Sequence, residues 1–248
     1  MNILVSNDDG VFSPWLEILN DAVAKFGSTC IVAPMNDHSG ASNSLTLDRP
    51  LTVRKIREKV IGVNGTPTDC VHLAITGLLG FTPDIVVSGV NNGPNLGEDT
   101  IYSGTVAAAM EGMMLGVPSV AFSMGDKKGQ NYDTATQVIT RVIERIKDQL
   151  SEKTFLLNVN IPNVPLSELD GYEVTRLGRR HKSQGVIEGS NPRGEKIYWI
   201  GAAGDVKDKS VGTDFHALAL NRVSITPLKI DLTDSSELDV FKGVFCYR

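Results

Sequence analysis

The chain has 248 residues, of which 41% are apolar and 21% are charged, and these proportions are ordinary for a soluble globular protein. They exclude a disordered chain, a collagen-like repeat and a coiled coil, while the length suits one large α/β domain with an appended lobe. Acidic residues number 29 and basic residues 24, so no overall positive charge attracts long nucleic acid or an anionic membrane.

In chain order, short β-branched runs alternate with longer segments of helical period, a pattern typical of βαβ units around a mostly parallel sheet. The predicted elements are a strand over 3–5, a helix over 15–26, a strand over 31–33, a helix starting at Thr66, a strand over 84–88, a helix over 105–115, a strand over 119–122, a helix over about 132–150 and a strand over 155–161. The helix at Thr66 has the clearest start, because Thr66 can cap it, Pro67 fits its first position and Asp69 complements its dipole.

After Pro162 the helical period disappears. Residues 171–204 are polar, rich in glycine and rich in strand formers, which predicts one or more projecting β-hairpins. An extended arm that cannot bury its own faces needs a partner, so we expect oligomerisation here, with strand exchange between subunits as one option. Residues 223–228 and onward return to strand-like alternation. We therefore expect an α/β catalytic core over residues 1–165 and an extension over 166–248 that contains the hairpin arm and a return strand.

Cysteine usage and the shortness of the apolar runs predict a cytoplasmic protein without a membrane partner. The three cysteines are too few and too scattered for a disulfide framework or a zinc site, and each adjoins an apolar residue, as a small buried hydrophobe would. They are Cys30, Cys70 and Cys246. The first apolar run, residues 3–5, has no basic flank, and no later run is long enough to span a bilayer.

Three loops that follow predicted strands are rich in polar residues, and they span residues 7–10, 36–44 and 89–99. Because ligands bind at the carboxyl ends of the strands in an open parallel sheet, we expect these loops to meet at one rim. The rim offers carboxylates, hydroxyls and amides without a cysteine cluster or a spaced histidine pair. Such oxygen donors select hard divalent cations such as Mg²⁺ or Mn²⁺.

The adjacent carboxylates of Asp8 and Asp9 are the strongest metal signal. Two carboxylates held together repel unless a cation or a proton lies between them. Both can reach one ion only if the chain turns at the end of the strand, and Gly10 permits that turn. Ordinary turn chemistry also explains Asn-Asp-Asp-Gly, but its position opposite two polar loops favours a metal site.

Ser103 and Thr105 flank Gly104 at the start of an alanine-rich helix. Free backbone N–H groups and two hydroxyls at a helix N-terminus suit a phosphate group, while a plain serine cap is the alternative on the local sequence. A phosphate cradle one loop away from a hard-metal site indicates phosphoryl transfer.

The other polar candidates are weaker. His72 and His216 are expected to be structural, and His38, beside Ser39, is the histidine retained near the site. A basic run either contacts phosphates of a longer substrate or forms the solvated edge of a hairpin. Its members are Arg176, Arg179, Arg180, His181 and Lys182.

Six short motifs occur in order along nearly the whole chain. They are Asn7-Asp8-Asp9-Gly10; Ser39-Gly40 with Ser42 and Ser44; Gly65-Thr66-Pro67 with Asp69-Cys70-Val71; Ser88-Gly89-Val90-Asn91 with Gly93 and Asn95; Tyr102-Ser103-Gly104-Thr105-Val106-Ala107-Ala108-Ala109; and Pro192-Arg193-Gly194 leading into Tyr198-Trp199-Ile200-Gly201. In this order the sequence resembles the SurE, or stationary-phase survival protein, family of metal-dependent nucleoside-monophosphate phosphatases.

The resemblance implies a Rossmann-like three-layer core, a cytoplasmic location and a homodimer or homotetramer formed through the C-terminal arm. It implies one divalent cation per subunit, Mg²⁺, Mn²⁺ or another, held by Asp8, Asp9, Ser39 and Asn91. The phosphate site would be lined by Asn95, Ser103, Gly104 and Thr105. The implied reaction is hydrolysis of nucleoside 5′- and 3′-monophosphates and, in some members, of short polyphosphate.

The expected mechanism is metal-assisted attack of water on the phosphate, with Asp8 and Asp9 as the catalytic carboxylates. Asp9 is one acceptor for the water's proton, and the identity of the general base stays open. One alternative is Asp8 as a nucleophile that forms an acyl phosphate. Another is a phospho-accepting receiver domain. That class needs an aspartate at the end of a central strand and a lysine at the end of a later one, whereas these strands end at Ser88 and Ser123, so the match is poor. The sequence shows no base-reading aromatic sandwich, so we expect loose recognition of the nucleoside.

Overall fold

The computed structural model describes residues 1–150 and 153–246, so residues 151–152 and 247–248, which the domain prediction includes, lie outside the described residues. The strands are β1 Asn2–Ser6, β2 Ser28–Pro34, β3 Val53–Arg57, β4 Val60–Val63, β5 Ile85–Asn91, β6 Ser119–Met124, β7 Leu156–Ile161, β8 Tyr172–Val174, β9 Arg179–Arg180, β10 Ile187–Ser190, β11 Lys196–Trp199, β12 Val206–Asp208 and β13 Val223–Leu228. The α-helices are α1 Pro14–Ala24, α2 Pro67–Leu73, α3 Gly104–Met114, α4 Tyr132–Ile146, α5 Asp214–Ala219 and α6 Leu238–Phe245.

A nine-stranded sheet forms the centre of the fold, in the order β3-β4-β2-β1-β5-β6-β7-β13-β8. Pairing is parallel except between β3 and β4 and between β13 and β7. The predicted strands all belong to this sheet, because their continuous apolar runs fill both of its faces. The α/β fold with a mostly parallel sheet is confirmed.

Helices cover both faces of the sheet and make three layers. On one face α1 and α4 bury Leu16, Leu19 and Ile139 against β1, β5 and β6. On the other face α2 and α3 bury Val71 and Ala108 against Leu4 and other strand residues. Apolar clusters on opposite faces therefore hold the sheet in place.

The predicted start of the second helix is confirmed in detail. The Thr66 hydroxyl accepts a hydrogen bond from the Asp69 backbone N–H at 3.1 Å, and the Asp69 carboxylate accepts one from the Thr66 backbone N–H at 2.8 Å. This reciprocal pair satisfies backbone donors that the first helical turn leaves free. The helix predicted over 132–150 is shorter, ending at Ile146 before a 3₁₀ turn, Lys147–Gln149.

Two parts of the structure differ from the sequence prediction. β3 and β4 form a hairpin at one edge of the sheet that the charged sequence around it did not predict. The strand-like alternation expected beyond residue 228 is wrong at the end of the chain, where α6 forms instead. Its apolar residues recur at helical spacing, and that period was the signal for a helix.

The C-terminal extension contributes both to the main sheet and to separate ribbons. β10 and β11 form an antiparallel hairpin, and β9 pairs with β12. β13 lies between β7 and β8, so the predicted return strand completes the central sheet. The division at residue 165 stays a prediction. In the described part of the chain, no helix combines the length and hydropathy needed to cross a membrane.

Candidate functional site

The candidate site is a cavity of about 250 Å³ at the carboxyl ends of the parallel strands. The chain leaves β1 towards β2 on one side, while β5 lies on the other side of β1, so the strand order reverses at β1. A crevice opens at such a reversal, where ligands bind in open α/β sheets. The cavity is lined by Asp8, Asp9, Ser39, Gly40, Asn91, Asn92, Gly93, Pro94, Asn95, Asp99, Tyr102, Ser103 and Lys127.

Asp8 is a buried carboxylate at the end of β1 that α3 holds in place. The Thr105 hydroxyl donates a hydrogen bond to Asp8 Oδ1. A Cβ on Gly104 would lie 2.7 Å from the Asp8 Cβ, so only glycine lets the helix start approach this closely. The positive end of the α3 dipole therefore lies against the carboxylate.

The turn after β1 carries Asp9 to the same cavity. Gly10 has a φ of +100°, and the Asn7 side-chain amide donates to the Gly10 carbonyl at 3.0 Å. The expected turn chemistry and the expected convergence of two carboxylates are thus both present. The Asp8 carbonyl also accepts a hydrogen bond from the His38 backbone N–H at 2.8 Å, which joins the first loop to the second.

Negative charge is crowded in this cavity. Burial raises the pKa of Asp8. The pKa of Asp9 is raised to about 6, mainly by burial and to a smaller extent by the negative charges of Asp8 and Asp37. Hydrogen bonds from the Ser39 hydroxyl and backbone N–H, at 2.6 and 2.7 Å, lower the pKa of Asp37. A cation beside Asp8 and Asp9 would relieve the repulsion between them.

Ser39 and Asn91 supply neutral oxygens at the rim. The Ser39 hydroxyl proton is directed at Asp37, which leaves lone pairs of that oxygen for a cation. The Asn91 amide nitrogen donates to the Gly93 carbonyl at 2.8 Å, and the side-chain oxygen is left for another partner.

The donor chemistry fits a hard divalent cation. Across residues 1–150 and 153–246, no group of three or more His, Cys, Asp or Glu side chains is arranged to hold a metal ion. A cation here would therefore depend on Ser39 and Asn91 in addition to the two carboxylates. A donor set made only of oxygen suits Mg²⁺ or Mn²⁺.

The residues expected at a phosphate site divide into two groups. Asn95 and Ser103 line the cavity, and the Ser103 hydroxyl also caps α3 by accepting from the Val106 N–H at 3.1 Å. Gly104 and Thr105 do not line it; they lie behind Asp8, and the Thr105 hydroxyl bonds to Asp8. Ser103 therefore caps the helix, as in the simpler alternative, and also lines the cavity.

Asn95 is fixed from behind by a buried network of side chains. Asn160 accepts from the Asn95 backbone N–H at 2.8 Å and donates to its carbonyl at 3.0 Å. Asn158 donates to the same carbonyl at 2.8 Å, and the Asn95 amide donates to the Ser123 hydroxyl at 2.8 Å. β7 therefore holds the Asn95 backbone, and Ser123 on β6 holds its side chain.

Sequence reasoning missed several residues of the cavity. Lys127 follows β6, so its place after another strand of the parallel sheet was the available signal. Asp99, at the end of the polar loop 89–99, and Tyr102, at the start of a quoted motif, were not named as site residues; both lie at the 3₁₀ turn before α3 and line the cavity. Asp37 was predicted only as part of a polar loop, and the structure was needed to show that it accepts hydrogen bonds from Ser39.

His72 and two arginines of the basic run have partners outside the candidate metal ligands. His72 pairs with the buried Glu111 at 2.7 Å, in keeping with a structural role. In the basic run, Arg176 pairs with Asp208 at 2.7 Å and Arg180 with Asp99 at 2.8 Å.

Comparisons with known proteins give matches over most of the chain. The family model described as Survival protein SurE matches residues 3–184. The chain is 54% identical over 243 residues to the 5′-nucleotidase SurE of Methylobacillus flagellatus, covering 98% of each chain, and 53% identical over 239 residues to that of Chromobacterium violaceum, covering 96% and 97%. The crystal structure of the SurE protein from Aquifex aeolicus superposes with a TM-score of 0.85 at 40% identity, covering 98% of this chain and 99% of that one.

Proposed function

Because the chain belongs to the SurE family, we propose that it is a metal-dependent phosphomonoesterase that releases phosphate from nucleoside 5′-monophosphates. The observation that carries the proposal is the convergence of Asp8, Asp9, Ser39 and Asn91 on one cavity, with Ser103 beside them. The relatives named 5′-nucleotidase support the choice of substrate.

The four residues are proposed to hold one Mg²⁺ or Mn²⁺ ion. When bound, the ion would supply Lewis-acid stabilisation of the phosphate and would lower the pKa of an attacking water. Thr105 keeps Asp8 oriented towards the cavity. The Gly93 carbonyl accepts from the Asn91 amide nitrogen and so leaves the Asn91 side-chain oxygen available to the ion. Residues behind the ligands thus fix the geometry that catalysis needs.

The remaining residues of the cavity are proposed to bind the phosphate and move the proton. Asn95 and Ser103 bind non-bridging oxygens, Gly104 and Thr105 complete the phosphate site by placing Asp8, and Lys127 balances negative charge. Asp9 accepts the proton of the attacking water, since it lines the same cavity.

We extend the proposal to nucleoside 3′-monophosphates and short polyphosphate. The described lining side chains have the chemistry to bind a phosphoryl group, and none of them is specific for a 5′ linkage. A panel of 5′- and 3′-mononucleotides and polyphosphates, assayed with Mg²⁺ and Mn²⁺, tests this extension.

We also propose a homodimer or homotetramer that forms through the C-terminal arm, with α6 as a further contact, in a reducing, cytoplasmic environment. In the described structure no residue of α6 is buried, and Leu238, Phe241 and Phe245 on this helix are exposed. An eight-residue helix is too short to be stable alone, so a second copy of the chain is the partner we assign to it. All three cysteines are free thiols, which supports the reducing compartment.

Phosphate release from AMP tests the main proposal. We expect release with Mg²⁺ or Mn²⁺ and none with excess chelator. A receiver domain would retain phosphate on an aspartate without turnover, and that result would overturn the proposal. Quenching with hydroxylamine tests the alternative in which Asp8 is the nucleophile, because a trapped acyl phosphate would replace direct water attack.

A further inference from the structure

A second cavity, of about 620 Å³, adjoins the candidate site. Asp99 and Tyr102 line both cavities, so the two spaces share a boundary. The Arg180 side chain, which also lines the larger cavity, pairs with Asp99 at 2.8 Å. The larger cavity therefore lies between the main fold and the C-terminal extension.

Tyr102 presents an aromatic ring at this boundary from a fixed backbone. Its N–H donates to the Asp99 carbonyl at 3.1 Å, and its carbonyl accepts from the Ser42 N–H at 3.2 Å. The side chain is nevertheless 67% exposed. A large aromatic surface is thus held open to solvent next to the catalytic carboxylates, with no packing role to explain it.

The opposite wall comes from a paired ribbon of the extension. The His181 N–H donates to the Asp205 carbonyl at 2.8 Å, and the Gln184 N–H donates to the Ala202 carbonyl at 2.9 Å. Beside this ribbon Ile200 is 92% exposed and lines the cavity. The wall therefore combines ordered backbone with an uncovered aliphatic side chain.

We propose that this second cavity binds the nucleoside of the substrate, with the base packed against Tyr102 and Ile200. The inference rests on the proposed function. The site cavity is small and lined mainly by polar groups suited to the phosphate, whereas the larger cavity offers the apolar surface that a planar base needs. Their common boundary at Tyr102 lets one nucleotide occupy both.

The chemistry of the cavity also predicts weak discrimination among bases. Among its polar side chains, Arg180 and Asp99 already bond each other, and Lys182 and Ser183 are exposed rather than buried. Stacking on an aromatic ring tolerates every base, while selection of one base requires fixed donors and acceptors. The cavity therefore selects for the presence of a base more than for its identity.

Matched substrates and variants test the proposal kinetically. AMP and ribose 5-phosphate share the phosphate and the sugar, and only AMP carries a base. Tyr102→Ala should raise the KM for AMP about tenfold and leave that for ribose 5-phosphate nearly unchanged, while Tyr102→Phe should restore AMP binding. Ile101→Ala is the control, because Ile101 is an exposed neighbour that lines a different cavity. Equal effects of Tyr102→Ala on both substrates, or no effect on either, would overturn the proposal.

Direct binding separates this proposal from the proposed reaction. Calorimetric titration with adenosine needs no turnover, so it gives a result even if no phosphate is released. We expect binding to the wild type and to Asp8→Asn, and about tenfold weaker binding to Tyr102→Ala. Adenosine that binds Tyr102→Ala as well as the wild type would contradict the nucleoside site, whereas adenosine binding without hydrolysis of AMP would contradict only the proposed function.

Discussion

The Thr105 hydroxyl donates a hydrogen bond to the carboxylate of Asp8, which lies 97 residues earlier in the chain. This bond joins the start of α3 to the end of β1 and orients a buried carboxylate at the candidate metal site. Because outer hydrogen bonds of this kind tune metal ligands, their loss should weaken metal binding more than it weakens the fold.

Substitutions at Asp8 and Thr105 should separate metal binding from folding. Asp8→Asn should lower activity at least about 100-fold, since Lewis-acid stabilisation is worth several kcal/mol. Thr105→Val should weaken Mn²⁺ binding about 10- to 100-fold, and Thr105→Ser should restore it. Mn²⁺ titrations of activity and of Tm measure both effects, with Asp21→Asn on α1 as the control. The assignment fails if Asp8→Asn keeps near-normal turnover or if Mn²⁺ stabilises it as much as the wild type.

Removal of Asn160 should affect both stability and the placement of Asn95. Asn160→Ala leaves the buried Asn95 N–H without its acceptor, which costs about 1–3 kcal/mol of the free energy of unfolding. Asn158→Ala removes one of two donors to the Asn95 carbonyl and should cost less. Urea unfolding and the kcat for AMP measure the two effects. If the two substitutions lower the free energy of unfolding equally, the bond from the Asn95 N–H is not the critical one.

Lys127 should contribute to phosphate binding. Lys127→Ala should weaken inhibition by inorganic phosphate about tenfold, because a charged hydrogen bond is worth about 1.5–3 kcal/mol. Lys128→Ala provides a matched control, since Lys128 is the exposed neighbour and does not line the cavity. Inhibition constants for phosphate measure the effect. If the two substitutions change inhibition equally, Lys127 acts only through the general charge of the loop.

The Asp69 cap should make the fold sensitive to acid. Burial opposes ionisation of Asp69, but hydrogen bonds from Thr46 and Thr66 outweigh it and lower the pKa of this carboxyl. A lowered pKa in the folded state adds stability that is full above the unfolded pKa of about 3.9 and is lost as the pH falls through the folded value. Asp69→Asn should therefore cost about 1 kcal/mol at pH 7 and less at pH 3. Urea unfolding of both proteins between pH 7 and pH 3 tests this pH dependence. If the difference in their free energies of unfolding grows towards pH 3, the prediction is wrong.

The apolar face of α6 should control assembly. Phe241 and Phe245 stack with ring centroids 6.1 Å apart on the exposed helix. Replacing both with glutamate should convert the proposed oligomer into a monomer, as measured by light scattering after size-exclusion chromatography. Lys242→Glu adds a carboxylate to the same helix without removing an apolar side chain and should leave assembly intact. A wild-type protein that is monomeric at tens of micromolar would contradict the proposal.

Most of the central sheet could be predicted because its strands are continuous apolar runs followed by polar loops. β3 could not, since its residues are largely exposed and charged and it forms by pairing with β4. In the site, local turn chemistry and the parallel-strand rule sufficed to group Asp8, Asp9 and Asn91 at one rim. That these residues hold a metal stays a prediction.

The parts of the site that sequence could not supply depend on contacts between distant segments. The direction of the Thr105 hydroxyl follows from how α3 packs against β1, and no local pattern encodes that packing. The Asn95 network likewise joins a loop to two strands, β6 and β7, far along the chain. Lys127 sits in a glycine- and lysine-containing loop with no periodicity to mark it.

The insertion of β13 between β7 and β8 has a consequence for synthesis of the chain. Until residues 223–228 have left the ribosome, the nascent sheet ends at β7, whose side chains are almost all buried in the finished fold. An apolar strand edge of that kind is a template for unwanted pairing with other chains. Newly made protein should therefore depend on chaperones until nearly its last residues are translated, and a fragment that stops at residue 165 should aggregate rather than fold.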